Sequence, residues 1–148
     1  MGKKYIHYGH KSFDRRLFTP VINGGLYVPK PHGGFWASAV DAVHGWKEWC
    51  ADSKFFRCTE RNSFTFTLAP DANVLVIDNA DILETLPQMP YDGEIKPTWV
   101  ALDFEAIRDF GVDVIEYVLS SDGRLYFSLY GWDCDSILVM NPDVIVEE

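Results

Sequence analysis

Alternating apolar and polar residues predict a series of short β-strands along this chain. The residues 63–68 alternate at every position, which is typical of a strand with one buried face. The run 74–77 is apolar throughout and predicts a strand that is buried on both faces. The same patterns predict further strands, at 4–8, 34–38, 112–119, 125–130, 136–140 and 144–146.

Helical spacing and capping residues predict short helices between these strands. The clearest helix covers 41–50, with Ser38 or Asp41 available as its N-cap. Shorter helices are expected at 12–18, 79–86 and 103–110. Because helices and strands are interleaved and no internal repeat is present, the pattern predicts an α+β domain.

The composition fits a single domain that covers residues 1–148, because a hydrophobic content of 47% is enough for one core. The formal net charge is -9, from 13 basic and 22 acidic residues. Extended nucleic-acid binding needs a basic face, so this acidic balance argues against it.

The cysteines and the hydropathy bear on the compartment. The chain has 3 cysteines, an odd number that argues against a closed disulfide framework, and their spacing does not fit a metal site. We therefore expect a reducing, cytoplasmic setting. No apolar run approaches the length that spans a bilayer and the first residues lack the apolar core of a signal peptide, so no membrane partner is expected.

Common catalytic and nucleotide-binding motifs are absent from the sequence. We find no Walker loop, no dinucleotide glycine fingerprint and no nucleophile elbow of the Gly-x-Ser-x-Gly type. His7 and His10 are three residues apart on an extended segment, so their side chains are expected to point to opposite faces. A zinc site at this pair is therefore not expected.

Three separated segments resemble motifs of the ADP-ribosyltransferase superfamily. They are the histidine-containing strand at 5–9, the Gly-Gly-Phe-Trp-Ala-Ser run at 33–38, and the stretch 132–145, in which an apolar strand leads into Asn-Pro-Asp. In that family a first-strand His or Arg, a second-strand Tyr or Ser-rich segment and an acid leading into a late strand surround NAD. The ending is especially similar to that of small bacterial and phage members.

The resemblance implies a fold, a split β-sheet sandwich with flanking helices, and a set of catalytic residues. It implies His7 as the group that holds a ribose hydroxyl and Asp135 as the catalytic acid. The family's acid is usually Glu, and the motif aligns Ser136 at or near its position, so Asp133 and Glu116 remain alternatives to Asp135. A bulge would bring Asp135 onto the cleft face.

The resemblance also implies contacts to the NAD cofactor. The backbone around Tyr8 and Gly9 would bind the nicotinamide amide, and Gly34 precedes the second strand of the cleft. Trp36 would stack on the nicotinamide ring, and Ser38 would donate to ribose or phosphate. Each side chain also has a purely structural interpretation: His7 and Trp36 as core rings, Ser38 as a helix cap, Asp135 as a turn residue.

The chemistry gives these residue types a physical reason. Breaking the bond between nicotinamide and ribose builds positive charge on the sugar, and a fixed carboxylate stabilises that charge more in the transition state than in the ground state. The leading hypothesis is a mono-ADP-ribosyltransferase-like enzyme, a bacterial or phage effector that modifies a macromolecular target such as a protein. The alternatives are a catalytically silent module that binds NAD, ADP-ribose or a protein, and a protein-only interaction domain acting through its acidic surface.

Overall fold

The computed structural model describes residues 3–23, 31–42, 45–52, 60–89, 100–129, 132 and 134–147. The strands are β1 (Tyr5–Tyr8), β2 (Phe35–Ala39), β3 (Ser63–Leu68), β4 (Val74–Ile77), β5 (Val114–Tyr117), β6 (Ser136–Val139) and β7 (Ile145–Glu147). The α-helices are α1 (Trp46–Asp52), α2 (Phe104–Asp109) and α3 (Leu125–Ser128). Short 3₁₀ helices cover Arg15–Leu17, Glu60–Asn62, Ala80–Thr85, Leu119–Ser121 and Pro142–Val144.

The strands form one seven-stranded sheet in the order β4-β5-β6-β2-β1-β3-β7. β4 and β5 are parallel, and the other neighbouring pairs are antiparallel. A mixed sheet with few helices confirms the α+β class predicted from the interleaved pattern.

Each face of the sheet packs on its own hydrophobic core. The inner face joins strands that lie far apart in the sheet order, since Tyr5 of β1, Phe66 of β3 and Val114 of β5 belong to the same buried cluster. Such a cluster requires the sheet to curl, because side chains stand roughly perpendicular to a sheet. The outer face packs against α2 and α3, with Trp132 buried at its centre.

The predicted strand at 125–130 is wrong, because Leu125–Ser128 is a single helical turn. Leu125 and Leu129 are both fully buried, and a spacing of four places them on one face of a helix. Helix α1 begins at Trp46, later than the predicted start at 41. Side chains accept from the backbone amides at the start of this helix: the Trp46 amide donates to Ser38 Oγ, and the Gly45 amide donates to the Glu48 carboxylate.

The cysteines differ from the expectation. Cys50 of α1 is disulfide-bonded, whereas Cys134 is buried and is not part of a disulfide. Cys58 lies outside the described residues. Because disulfides are rare in a reducing cytoplasm, the cysteine count no longer supports that compartment. None of the described helices has the length and apolar character needed to cross a bilayer.

Candidate functional site

The predicted site residues are distributed over two cavities. The first, which we call the carboxylate cavity, has a volume of about 220 Å³ and is lined by polar side chains that include Lys3, Asp41, Glu116, Ser120, Asp135 and Ser136. The second, the histidine cavity, has a volume of about 160 Å³ and is more aromatic, with His7, His10, Phe13, Asp14, Phe35 and Trp36 in its wall. His7 and Asp135, which the resemblance places around one NAD, therefore line two different cavities.

The strand register explains this separation. Tyr5 pairs with Ala39, and the β2–β6 pairing, continued by two residues from Ala37 opposite Ile137, places Asp135 in the same row. His7 lies two residues further along β1. With two strand spacings across and two residues along, the backbones of His7 and Asp135 are about 12 Å apart. Both residues lie on the inner face, in neighbouring cavities.

Trp36 and Ser38 project from the opposite face of β2, because side chains alternate along a strand. The Trp36 ring packs edge-on against Trp132 with 4.8 Å between ring centroids, and its Nε1 donates to the Gly33 carbonyl at 3.3 Å. Ser38 is 2% exposed; its hydroxyl donates to the Asp135 carbonyl and accepts from the Trp46 amide, both at 2.9 Å. The structural interpretations, a core ring and a helix cap, describe these two side chains.

The backbone groups expected to bind the nicotinamide amide have protein partners. Gly9 donates its amide to the Asn62 carbonyl at 2.7 Å and accepts from Asn62 Nδ2 at 2.9 Å. Tyr8 pairs with Ser63 in the β1–β3 ladder, and the Gly34 amide donates to the Thr19 carbonyl at 2.8 Å. These protein partners occupy backbone groups that the resemblance assigned to the cofactor, so the structure gives no support for Tyr8, Gly9 and Gly34 as cofactor contacts.

Asp135 is anchored within the carboxylate cavity. The residue is 6% exposed, and its two carboxylate oxygens accept from the amide of Ser120 at 2.9 Å and from its hydroxyl at 2.8 Å. These bonds hold the 3₁₀ turn Leu119–Ser121 against the start of β6. Its alternative Asp133 lies outside the described residues.

Glu116 is the second carboxylate of this cavity, and it belongs to an ionic cluster. Its Oε2 accepts from the Tyr5 hydroxyl at 3.0 Å and from Lys3 Nζ at 3.2 Å. Burial, Glu116 and the nearby Asp41 raise the pKa of Tyr5, so the phenol stays protonated and remains a donor. Hydrogen bonds from the described residues reach only Oε2, which leaves Oε1 as an acceptor for a ligand hydroxyl.

The sequence analysis offered Glu116 only as an alternative acid and did not identify Tyr5 as a site residue. The alternation of β1 places Tyr5 on the same face as His7, which is the local signal available. The contact between Lys3 and Glu116 spans 113 residues and has no local signal.

The histidine cavity contains a hydrogen-bonded pair of imidazoles. His7 Nδ1 lies 2.6 Å from the Trp36 carbonyl oxygen, and its Nε2 lies 3.0 Å from His10 Nδ1. The two rings stack at 5.2 Å, because Gly9 adopts a φ of 118° and turns the chain back on itself. The prediction that His7 and His10 point to opposite faces is therefore wrong.

Burial lowers the pKa of His7, and the adjacent His10 lowers it further, although the bond to Trp36 opposes them. His7 also stacks on Phe35 at 4.3 Å. No group of three or more potential metal ligands occurs among the described residues.

Comparison of the chain with protein-family models, curated proteins and solved structures finds no match.

Proposed function

We propose that this chain is an ADP-ribosyltransferase-like protein that binds NAD along the inner face of its curled sheet and cleaves the nicotinamide–ribose bond. ADP-ribose would pass to a macromolecular target such as a protein. The observation that carries the proposal is the strand order β6-β2-β1, in which the three strands that bear the resembling motifs are neighbours. The curled sheet with a core on each face is also compatible with the split sandwich of that superfamily.

The carboxylate cavity supplies the chemistry that such a reaction requires. The leaving of nicotinamide builds positive charge on the ribose, and two carboxylates, the buried Asp135 and the part-buried Glu116, line this cavity. No hydrogen bond from a described residue reaches Glu116 Oε1, and Glu116 Oε2 is held by Tyr5 and Lys3. We assign the electrostatic stabilisation to Glu116 first and to Asp135 second, because both Asp135 oxygens already accept from Ser120.

The engagement of Asp135 also favours a second candidate function. A carboxylate that caps the turn Leu119–Ser121 has a structural role, and its protein partners would compete with a ribose hydroxyl. The second candidate is therefore a module that binds NAD or ADP-ribose in this cavity and does not cleave it.

Nicotinamide release from NAD, followed by mass spectrometry, separates these functions when it is combined with calorimetry of NAD and ADP-ribose. The enzyme hypothesis expects release by the wild-type chain and a loss of about 100-fold in Glu116→Gln, from lost transition-state stabilisation. Asp71→Asn, an exposed carboxylate on a turn, is the matched control and should keep the wild-type rate. Binding without release supports the silent module. If the chain neither binds NAD or ADP-ribose nor releases nicotinamide, both proposals are overturned. Isotope-labelled NAD added to a cell lysate would then identify the modified target.

A further inference from the structure

We propose that the Trp36 carbonyl, His7 and His10 form a relay that makes Nε2 of His10 a general base, and that it deprotonates a neutral hydroxyl acceptor. The class of acceptor, a serine, threonine or tyrosine hydroxyl or water, rests on the proposed function. The arrangement of protons within the relay does not.

The first step is the tautomer of His7. A carbonyl oxygen only accepts hydrogen bonds, so the 2.6 Å contact with Trp36 places a proton on His7 Nδ1. Neutral imidazole carries one N–H, and the buried environment that lowers the pKa of His7 favours the neutral form. His7 Nε2 is therefore a hydrogen-bond acceptor.

The second step is the tautomer of His10, which follows from that of His7. The 3.0 Å contact requires His10 Nδ1 to donate to His7 Nε2, so a neutral His10 has its lone pair on Nε2. No described residue hydrogen-bonds to this Nε2, and His10 is exposed in the wall of the histidine cavity. A base whose other nitrogen is oriented by a third group is the arrangement used to activate hydroxyl nucleophiles.

Several charged or titratable groups lie near His10. Asp14, from the loop before the 3₁₀ turn Arg15–Leu17, lines the same cavity and interacts electrostatically with His10. The other groups nearby are His7 on β1, Arg16, which is bonded to Asp14, and Glu147 of β7, which accepts from the amide of Phe13. Because His7 Nε2 accepts from His10 and His7 Nδ1 is occupied, these bonds orient the His10 ring. A proton taken up by His10 Nε2 is not passed to His7.

The reaction then balances without a further reagent. This step requires the ribose C1′ to lie between the two neighbouring cavities, so that an acceptor bonded to His10 can reach it while Glu116 stabilises its charge. The acceptor O–H bond breaks and its proton moves to His10 Nε2, while the acceptor oxygen forms a bond to the ribose C1′ of NAD. The C1′–N bond of the nicotinamide breaks, and its electron pair neutralises the pyridinium as nicotinamide leaves. His10 finally returns the proton to solvent.

The tautomers are measured directly by long-range ¹H–¹⁵N NMR of the full chain with labelled histidine, at a pH where both imidazoles are neutral. We expect the proton on Nδ1 in both His7 and His10. In His7→Phe, which keeps a ring against Phe35 but removes the acceptor, the His10 proton should shift toward Nε2. A proton on Nε2 of His10 in the wild-type chain would overturn the relay.

Nicotinamide release in the absence of a protein target, with water as acceptor, tests the base itself. His10→Asn places an amide where Nδ1 was, so it keeps a donor for His7 but lacks the base, and release should fall about 100-fold. Added imidazole should restore release in His10→Ala. His32→Asn replaces another exposed histidine and should leave the rate unchanged. Wild-type release in His10→Asn, or a lack of rescue by imidazole, contradicts the proposal. If the wild-type chain releases no nicotinamide, the proposed function fails, and the NMR measurement still decides the relay.

Discussion

The Tyr5 hydroxyl donates a hydrogen bond to Glu116 Oε2 at 3.0 Å, across the inside of the curled sheet. Tyr5 lies on β1 and Glu116 on β5, with β2 and β6 between these strands. In a flat sheet the two strands would be about 14 Å apart, and side chains perpendicular to the sheet would not meet. The bond therefore both reports the curl and helps to hold it closed beside the carboxylate cavity.

Tyr5→Phe should lower the free energy of unfolding by about 1.5 kcal/mol, because it removes a part-buried hydrogen bond to a carboxylate. Denaturant titration of the full chain measures this change. A double-mutant cycle with Glu116→Met, which has no carboxylate acceptor, isolates the pair, and the two changes should be clearly non-additive. Additive losses would mean that the phenol acts through packing alone.

The pH dependence of stability should contain a contribution from His7. Because burial lowers the pKa of His7 below its ordinary 6.5, the unfolded chain binds this proton more readily than the folded chain. The stabilisation is fully present above pH 6.5 and is lost as the pH falls through the folded value. Unfolding free energies between pH 8 and pH 5 should therefore fall less steeply in His7→Phe than in the wild-type chain.

The comparison needs a histidine that lies outside both cavities. In His32→Asn the unfolding free energy should fall with decreasing pH as steeply as in the wild-type chain, since this exposed side chain has no part in the relay. Equal slopes in His7→Phe and wild-type would show that His7 is not held neutral by the fold.

Ser38→Ala should destabilise the chain by about 2 kcal/mol, because a buried hydroxyl that both donates and accepts is removed and the Trp46 amide loses its partner. Thermal and denaturant unfolding measure this loss. Ser121→Ala, at an exposed position, should change stability by less than about 0.5 kcal/mol. A Ser38→Ala chain of wild-type stability that had lost only NAD affinity would restore Ser38 as a ligand contact.

Alanine substitutions at three glycines should distinguish the cost in stability of backbone strain from that of steric overlap. Gly33 has a φ of 76° and a Cβ there would overlap the Pro20 carbonyl, so Gly33→Ala should cost more than about 3 kcal/mol. Gly111 has a φ of 98° with open space around it, and Gly111→Ala should cost about 1 kcal/mol. Gly123 has neither constraint, so Gly123→Ala should stay within about 1 kcal/mol of the wild-type chain. Equal losses at all three positions would contradict the close packing of Gly33.

Local patterns predicted most of the strands but not how they align. The strand at 63–68 is confirmed residue for residue, because its alternation is contained in its own sequence. The face that Ser38 presents depends on the register of β1, β2 and β6, and a slip of one residue would reverse it. That register is set by contacts between distant segments, so the sequence could not separate the ligand role of Ser38 from its structural role.

The site shows the same limit at its two cavities. His10 reaches His7 only because Gly9 takes a left-handed conformation, which the pattern of an extended strand does not indicate. Glu116 and Tyr5 are 111 residues apart, and only the curl of the sheet brings them together. The candidate residues were visible in the sequence, whereas their grouping was determined by tertiary structure.

The Ser38 hydroxyl also links two parts of the molecule. It bonds at once to the first turn of α1 and to the peptide of Asp135, and α1 is itself cross-linked through Cys50. A displacement of this helix would therefore reach the backbone of Asp135 through a single oxygen atom, at the edge of the carboxylate cavity.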